Sequence, residues 1–259
     1  MTYKSIGSKI IKDMTKPKHI LLIVTIIALG VFIIMFSLNR AATYPENKWT
    51  RLIEECARVV DRAREMSGQV IMEGPVANCQ AIGIFPSTIS GGLGIGGQYG
   101  QGIIMVKNGR AWSSPAVFTL AGGSFGFQIG AQATDVILLF MNRRSVDAIL
   151  GGKLKLGADV SVAAGPVGRS ASASTDLQLR GGILSYSISK GLFAGAKLEG
   201  AVLLQHEEAN RELYGKSLSA REILIEDKAP MPKAAYNFLG TLRPYSPVTR
   251  ILRKMGVIK

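Results

Sequence analysis

The chain has 259 residues, 47% of them hydrophobic and only 7% aromatic, with 30 glycines; this suffices for one sizeable domain with appendages and favours small-residue β structure over a helical bundle. The net charge of +13 is concentrated at the ends, with five lysines against Asp13 in residues 1–19 and seven Lys and Arg against Asp227 in residues 227–259. Basic ends attract polyanions, and the apolar run that follows the first of them selects phospholipid headgroups over nucleic acid.

That run, Ile20–Phe36, carries no charge, and Leu38 extends it past Ser37. At 1.5 Å per residue a helix over 20–38 reaches roughly 27 Å, about the hydrocarbon thickness of a bilayer. It is longer than a signal-peptide core. Asn39 and Arg40 stand where cleavage needs a small residue, so an uncleaved anchor is expected. Five lysines precede the span, against Arg40, Lys48 and Arg51 after it. This predicts a single-pass protein with a cytoplasmic N-terminus and an exported domain, periplasmic in a bacterium. Cys56 and Cys79 either pair in that oxidising compartment or remain two buried thiols.

Residues 39–48 read as a linker. Trp49, Leu52, Ile53, Cys56, Val59, Val60, Ala63 and Met66 then recur at helical spacing, opposite a charged face containing the Glu54–Arg58 pair. An amphipathic helix packed on the following domain is predicted. From Gln80 the period becomes two. Residues 81–86 read as a buried strand ended by Pro86. Gly-rich turns then separate strands over 103–106, 116–120, 124–132 and 136–141. Asn142 is placed to cap a short helix over 143–150, stopped by Gly151-Gly152. Alternation returns over 153–162, at Leu177 and Leu179, at Leu184, Tyr186 and Ile188, and over 192–202.

A polar helical run begins at His206, and a second short helix is read over 219–224. Beyond Pro230 the segments are broken by proline. Val248–Lys259 forms a basic amphipathic helix suited either to a membrane surface or to docking on the domain. The predicted fold class is α+β, mainly β: a glycine-rich antiparallel sandwich or barrel-like domain over 49–226. Flanking helices accompany it, a transmembrane helix precedes it, and a basic tail over 227–259 follows.

Three short patterns invite catalysis and fail on context. Gly92–Gly97 matches G-x-G-x-x-G, but no helix is predicted after it, and the next acid is Asp135 rather than one about 20 residues on. Gly122–Gly126 matches G-x-S-x-G around Ser124, but residues 125–132 alternate as a strand where the elbow needs a helix. His206-Glu207 lacks the second histidine of H-E-x-x-H, because Asn210 stands there. No enzyme, metal or cofactor is expected. Basic residues on polar faces remain as candidates for phosphate oxygens: Lys107, Arg110, Arg143, Arg144, Lys153, Lys155, Arg169 and Arg180 in the domain, and Arg250, Arg253 and Lys254 in the tail.

The blocks AIGIFP (81–86), GGLGIGGQYGQGIIM (91–105), WSSPA (112–116), GGSFGFQIGAQATDVILLFMNRRSVDAIL (122–150), KLKLGADVSVAAGPVGR (153–169) and GILSYSISKGLFAGAKLEGA (182–201) resemble, in order, the SYLF-domain family over about residues 50–225. The resemblance implies a lipid-binding domain without catalytic activity. Its eukaryotic relatives bind phosphoinositides; some bundle actin filaments and carry an SH3 domain, and no SH3-like stretch is read in this sequence. The expected function is a membrane-anchored, non-enzymatic protein binding the headgroups of an anionic phospholipid membrane. The alternative is a structural or adaptor protein contacting another envelope protein or, in a eukaryote, actin.

Overall fold

The structure is a computed structural model, and it describes residues 48–67, 72–109, 111–167 and 182–242. The predicted span over 20–38, the strand at Leu177 and Leu179 and the helix over 248–259 lie outside these residues. Among the described residues no helix is long and apolar enough to cross a membrane.

Helix α1, Lys48–Ser67, follows the predicted stripe. Ile53, Cys56, Val59 and Val60 are buried, each side chain of this size contributing roughly 1.5–3 kcal/mol when removed from water. The buried surface is wider than one stripe, because Ala57 and Arg64 are covered too. A helix from the far end of the chain, α5 (Lys233–Leu242), packs along α1, which also lies on the sheet. That helix was missed because Pro230 and Pro232 read as breakers. Pro232 instead stands just before the first turn, where its carbonyl accepts the N–H of Ala235 at 3.0 Å.

The body is built on one long antiparallel hairpin, β1 (Ala81–Asn108) with β3 (Ala116–Phe140), paired from Ala81–Phe140 to Ile104–Ala116. Short β2 (Ala111–Trp112) closes it. The separate strands expected between residues 81 and 141 are therefore two continuous ones. Pro86 does not end a strand: it sits where the register shifts between Phe85 and Thr88, so its missing N–H interrupts no ladder bond.

The hairpin is folded over on itself. Lys107 donates its backbone N–H to Gln80 at 2.7 Å. A Cβ at Gly102 would lie 2.0 Å from the Ile84 carbonyl oxygen, and one at Gly100 would lie 2.3 Å from Thr88 Oγ1. The early and late parts of β1 thus face each other in antiparallel order, and only a residue without a side chain permits that approach at position 102.

The other edge of β3 takes two partners. β8 (Val202–Gln205) pairs with residues 118–121, and β6 (Ile183–Ser189) pairs with residues 135–140. β4 (Lys153–Lys155) pairs with β8, while β6 carries β7 (Leu192–Gly195) and β5 (Val162–Ala164). The β5–β6 pairing is parallel, an exception to the antiparallel sheet predicted. Among the described residues the result is a curled, half-barrel sheet of eight strands with flanking helices.

The strand expected over 153–162 is broken after Lys155. Gly157 turns at φ 85, and Asp159 accepts the backbone N–H of Lys155 at 2.6 Å. The one expected over 192–202 is likewise divided between β7 and β8. The short helices form as predicted. Asn142 caps α2 (Arg143–Ile149), accepting from the Ser145 N–H at 2.9 Å. Helix α3 spans Glu207–Tyr214, and α4 (Ala220–Leu224) begins with a capping box of Ser219 and Glu222. Cys56 and Cys79 are free thiols, both buried.

Candidate functional site

The two catalytic patterns dissolve in the fold. Residues 92–97 lie within β1 and 122–126 within β3, so neither leads into a helix. His206 is the N-cap of α3: its Nδ1 accepts the Ala209 N–H at 3.3 Å, and its ring meets Trp49 edge-on at 5.1 Å. Among the described residues no cluster of His, Cys, Asp and Glu is placed to hold a metal ion.

Five of the basic residues selected from sequence, Lys107, Arg143, Arg144, Lys153 and Lys155, lie among the described residues. Lys107 reaches back to the Ala77 carbonyl at 3.0 Å, at the end of the hairpin where Ala81 meets Phe140. Arg143 is paired with Asp147 at 3.1 Å, and Arg144 is exposed beside it. Lys153 and Lys155 are exposed on β4, on either side of buried Leu154, and α2 packs against that strand. Arg110, Arg169, Arg180, Arg250, Arg253 and Lys254 lie outside the described residues.

A cleft opens instead near the bend of the hairpin, with a volume of about 420 Å³. The first turns of α1 form one wall through Lys48, Arg51, Leu52 and Glu55; the other is β1 at Pro86, Ile89, Tyr99 and Gln101. Ile89 is 59% exposed and Tyr99 53%, so two large apolar side chains lie open to water side by side in this cleft. Lys48 lies over the Trp49 ring at 4.4 Å, and Arg51 is exposed. The single carboxylate of the lining, Glu55, lies 3.8 Å from Arg58. The wall of the cleft is pinned from behind. Asp135 accepts from Arg62 of α1 at 2.5 Å and from the backbone N–H of Ser87 at 2.9 Å, holding Ser87 at φ 46. Chemically the cleft lining combines guanidinium and ammonium groups with apolar side chains, a combination that suits an anionic amphiphile.

Sequence reasoning missed this site because Lys48 read as the end of a linker and Arg51 as the charged face of a helix. Ile89 lay in a stretch read as a turn, and only the fold-back brings it beside Tyr99.

A family model described as "Ysc84: Las17-binding protein actin regulator" matches residues 121–245, from within β3 through α5. Human SH3 domain-containing YSC84-like protein 1 is 31% identical over 202 residues, covering 77% of this chain and 58% of that protein. The chain belongs to the Ysc84, or SYLF, family. Protein YSC84 of Saccharomyces cerevisiae is 36% identical over 161 residues, which are 60% of this chain and 34% of the yeast protein. An SH3 domain-containing protein of Schizosaccharomyces pombe is 33% identical over 68% of the chain and 42% of its own length. The chain thus spans little more than half the length of the mammalian relatives it matches.

Proposed function

We propose that this SYLF protein is a membrane-anchored binding module without catalytic activity, which engages the headgroups of anionic phospholipids. The observation that carries the reading is the cleft, whose lining combines Lys48 and Arg51 with Leu52, Pro86, Ile89 and Tyr99. A phosphate oxygen finds its donors at the rim, and the upper acyl chain finds apolar contact below it. The uncharged run Ile20–Phe36 supports an anchor, with a cytoplasmic N-terminus and an exported domain. Co-sedimentation of residues 43–259 with vesicles of rising phosphatidylserine content tests the reading. Binding is expected to grow with anionic lipid and to weaken with salt, and charge reversal at Lys48 and Arg51 is expected to remove most of it.

A second reading, an adaptor contacting a protein of the actin machinery, is supported by the family's description as Las17-binding actin regulators. It predicts capture of a protein partner that resists salt and does not depend on lipid. Co-pelleting with actin filaments is its first test.

A further inference from the structure

The cleft is one part of a larger exposed end. Ile89 pairs with Ala133 across the β1–β3 ladder, and Asp135 pairs with Ile188 on the other edge of β3. Continuing that register by two residues brings the β6–β7 turn, Ser189 to Leu192, alongside Ala133. Side chains confirm the alignment: Ser90 Oγ contacts the Gln132 carbonyl at 3.5 Å, and Gln132 Nε2 donates to Ser189 Oγ. α1 packs against β7 as well. The turn is tight, with Lys190 at φ 47 and Gly191 at φ 76, and it presents exposed Lys190 next to Leu192, which is 73% exposed.

Three of the large apolar side chains most open to water, Ile89, Tyr99 and Leu192, therefore share one end of the sheet with the cations Lys48, Arg51 and Lys190. We infer that this end is a bilayer-docking face, on which the β6–β7 turn and the cleft wall enter the headgroup layer of an anionic membrane together. The inference rests on the lipid reading above and deepens it from a single headgroup site to an oriented surface contact.

Two observations select a bilayer as the occupant. The apolar tips are each neighboured by a cation, the arrangement in which side chains insert below the phosphates while ammonium and guanidinium groups stay level with them. The nearby carboxylates are also engaged, Asp135 by Arg62 and Glu55 by Arg58. In addition, only eleven residues lie between Phe36, the end of the apolar run, and Lys48. A chain anchored through that run can carry Lys48 no farther than about 40 Å from the membrane, even fully extended.

The test uses the full chain with single substitutions Ile89→Cys, Leu192→Cys and Asp159→Cys. Each is labelled with the environment-sensitive dye NBD and placed in nanodiscs of phosphatidylcholine, alone or mixed equally with phosphatidylserine. The native thiols Cys56 and Cys79 are buried and provide the unlabelled background. Blue-shifted, brightened emission is expected at positions 89 and 192 in the mixed discs only, and not at Asp159 in the turn after β4. Lys190→Glu should return the signal at position 192 toward its aqueous value. A shift at 89 without one at 192 overturns the docking face and leaves the cleft as a headgroup site. Aqueous emission at both overturns it too; vesicle co-sedimentation then decides whether the lipid reading survives.

Discussion

The side chain of Asn210 on α3 forms two hydrogen bonds with the backbone of Val117 in β3. Its Oδ1 accepts the Val117 N–H at 2.8 Å, and its Nδ2 donates to the Val117 carbonyl at 3.0 Å. The amide thus acts as one more strand residue, continuing the edge where β8 stops at Gln205. Asn210 and Val117 are fully buried, so the Val117 N–H has no water to replace this partner, while the Val117 carbonyl also accepts the His206 N–H at 2.9 Å. Asn210→Leu should destabilise the protein by about 1–3 kcal/mol, because it strands the buried Val117 N–H. Chemical denaturation at equilibrium reads this directly, and a loss below half a kcal/mol would show that the edge repairs itself.

The fold-back of β1 makes Gly102 its most sensitive position. A methyl group there collides with the Ile84 carbonyl, which is backbone and cannot swing aside. Gly102→Ala is expected to cost more than about 3 kcal/mol or to prevent folding, whereas Gly151→Ala, where a Cβ meets nothing within 4 Å, should change stability little. Thermal unfolding of the pair provides the comparison.

The two cysteines should behave as core residues. Burial raises both thiol pKa values from 9.0, that of Cys79 to about 12 and that of Cys56 further. In native protein at pH 8 both should react slowly with Ellman's reagent, and both should react at once in denaturant. The sign for stability follows from the raised values. Below pH 9 the thiols are neutral in folded and unfolded chains alike; above it the unfolded chain ionises first, so stability falls as pH rises. Rapid native labelling would contradict the packing of α1 on β1.

The capping box of α4 gives an acid-side counterpart. Glu222 accepts from the Ser219 backbone N–H at 2.9 Å and from Lys228 at 3.0 Å, which lowers its pKa to about 2. Its contribution is fully present above pH 4.5 and is lost as pH falls towards 2. The difference in melting temperature between wild type and Glu222→Gln should therefore shrink over that window, and a constant difference would rule out the ionised cap.

Much of this was legible locally. The stripe from Trp49 to Ala63, the Asn142 cap and the Ser219–Glu222 box are short-range signals, and each produced the element it predicts. Contacts distant in sequence were not. Glycines 91–102 read as turns because glycine favours turns; here some of them permit two layers of one strand to touch, a property no local pattern carries. Asn210 stood out only as the residue missing from a zinc pattern, and its role required knowing that Val117 lies beside it. The candidate cations were chosen by charge and nearness to predicted turns, which placed Lys107, Arg143 and Lys153 as sites. The cleft depends on Ile89 and Tyr99, ten residues apart on one strand, being brought together by its bend.

The proposed recognition of anionic phospholipid falls to the cleft between α1 and β1. Its most direct test is vesicle co-sedimentation of residues 43–259 beside the double variant Lys48→Glu/Arg51→Glu, with circular dichroism confirming that both are folded. Salt-sensitive binding of the parent to phosphatidylserine vesicles and a large loss in the variant are expected. Equal binding by both proteins, or no binding by the parent at low salt, would contradict it.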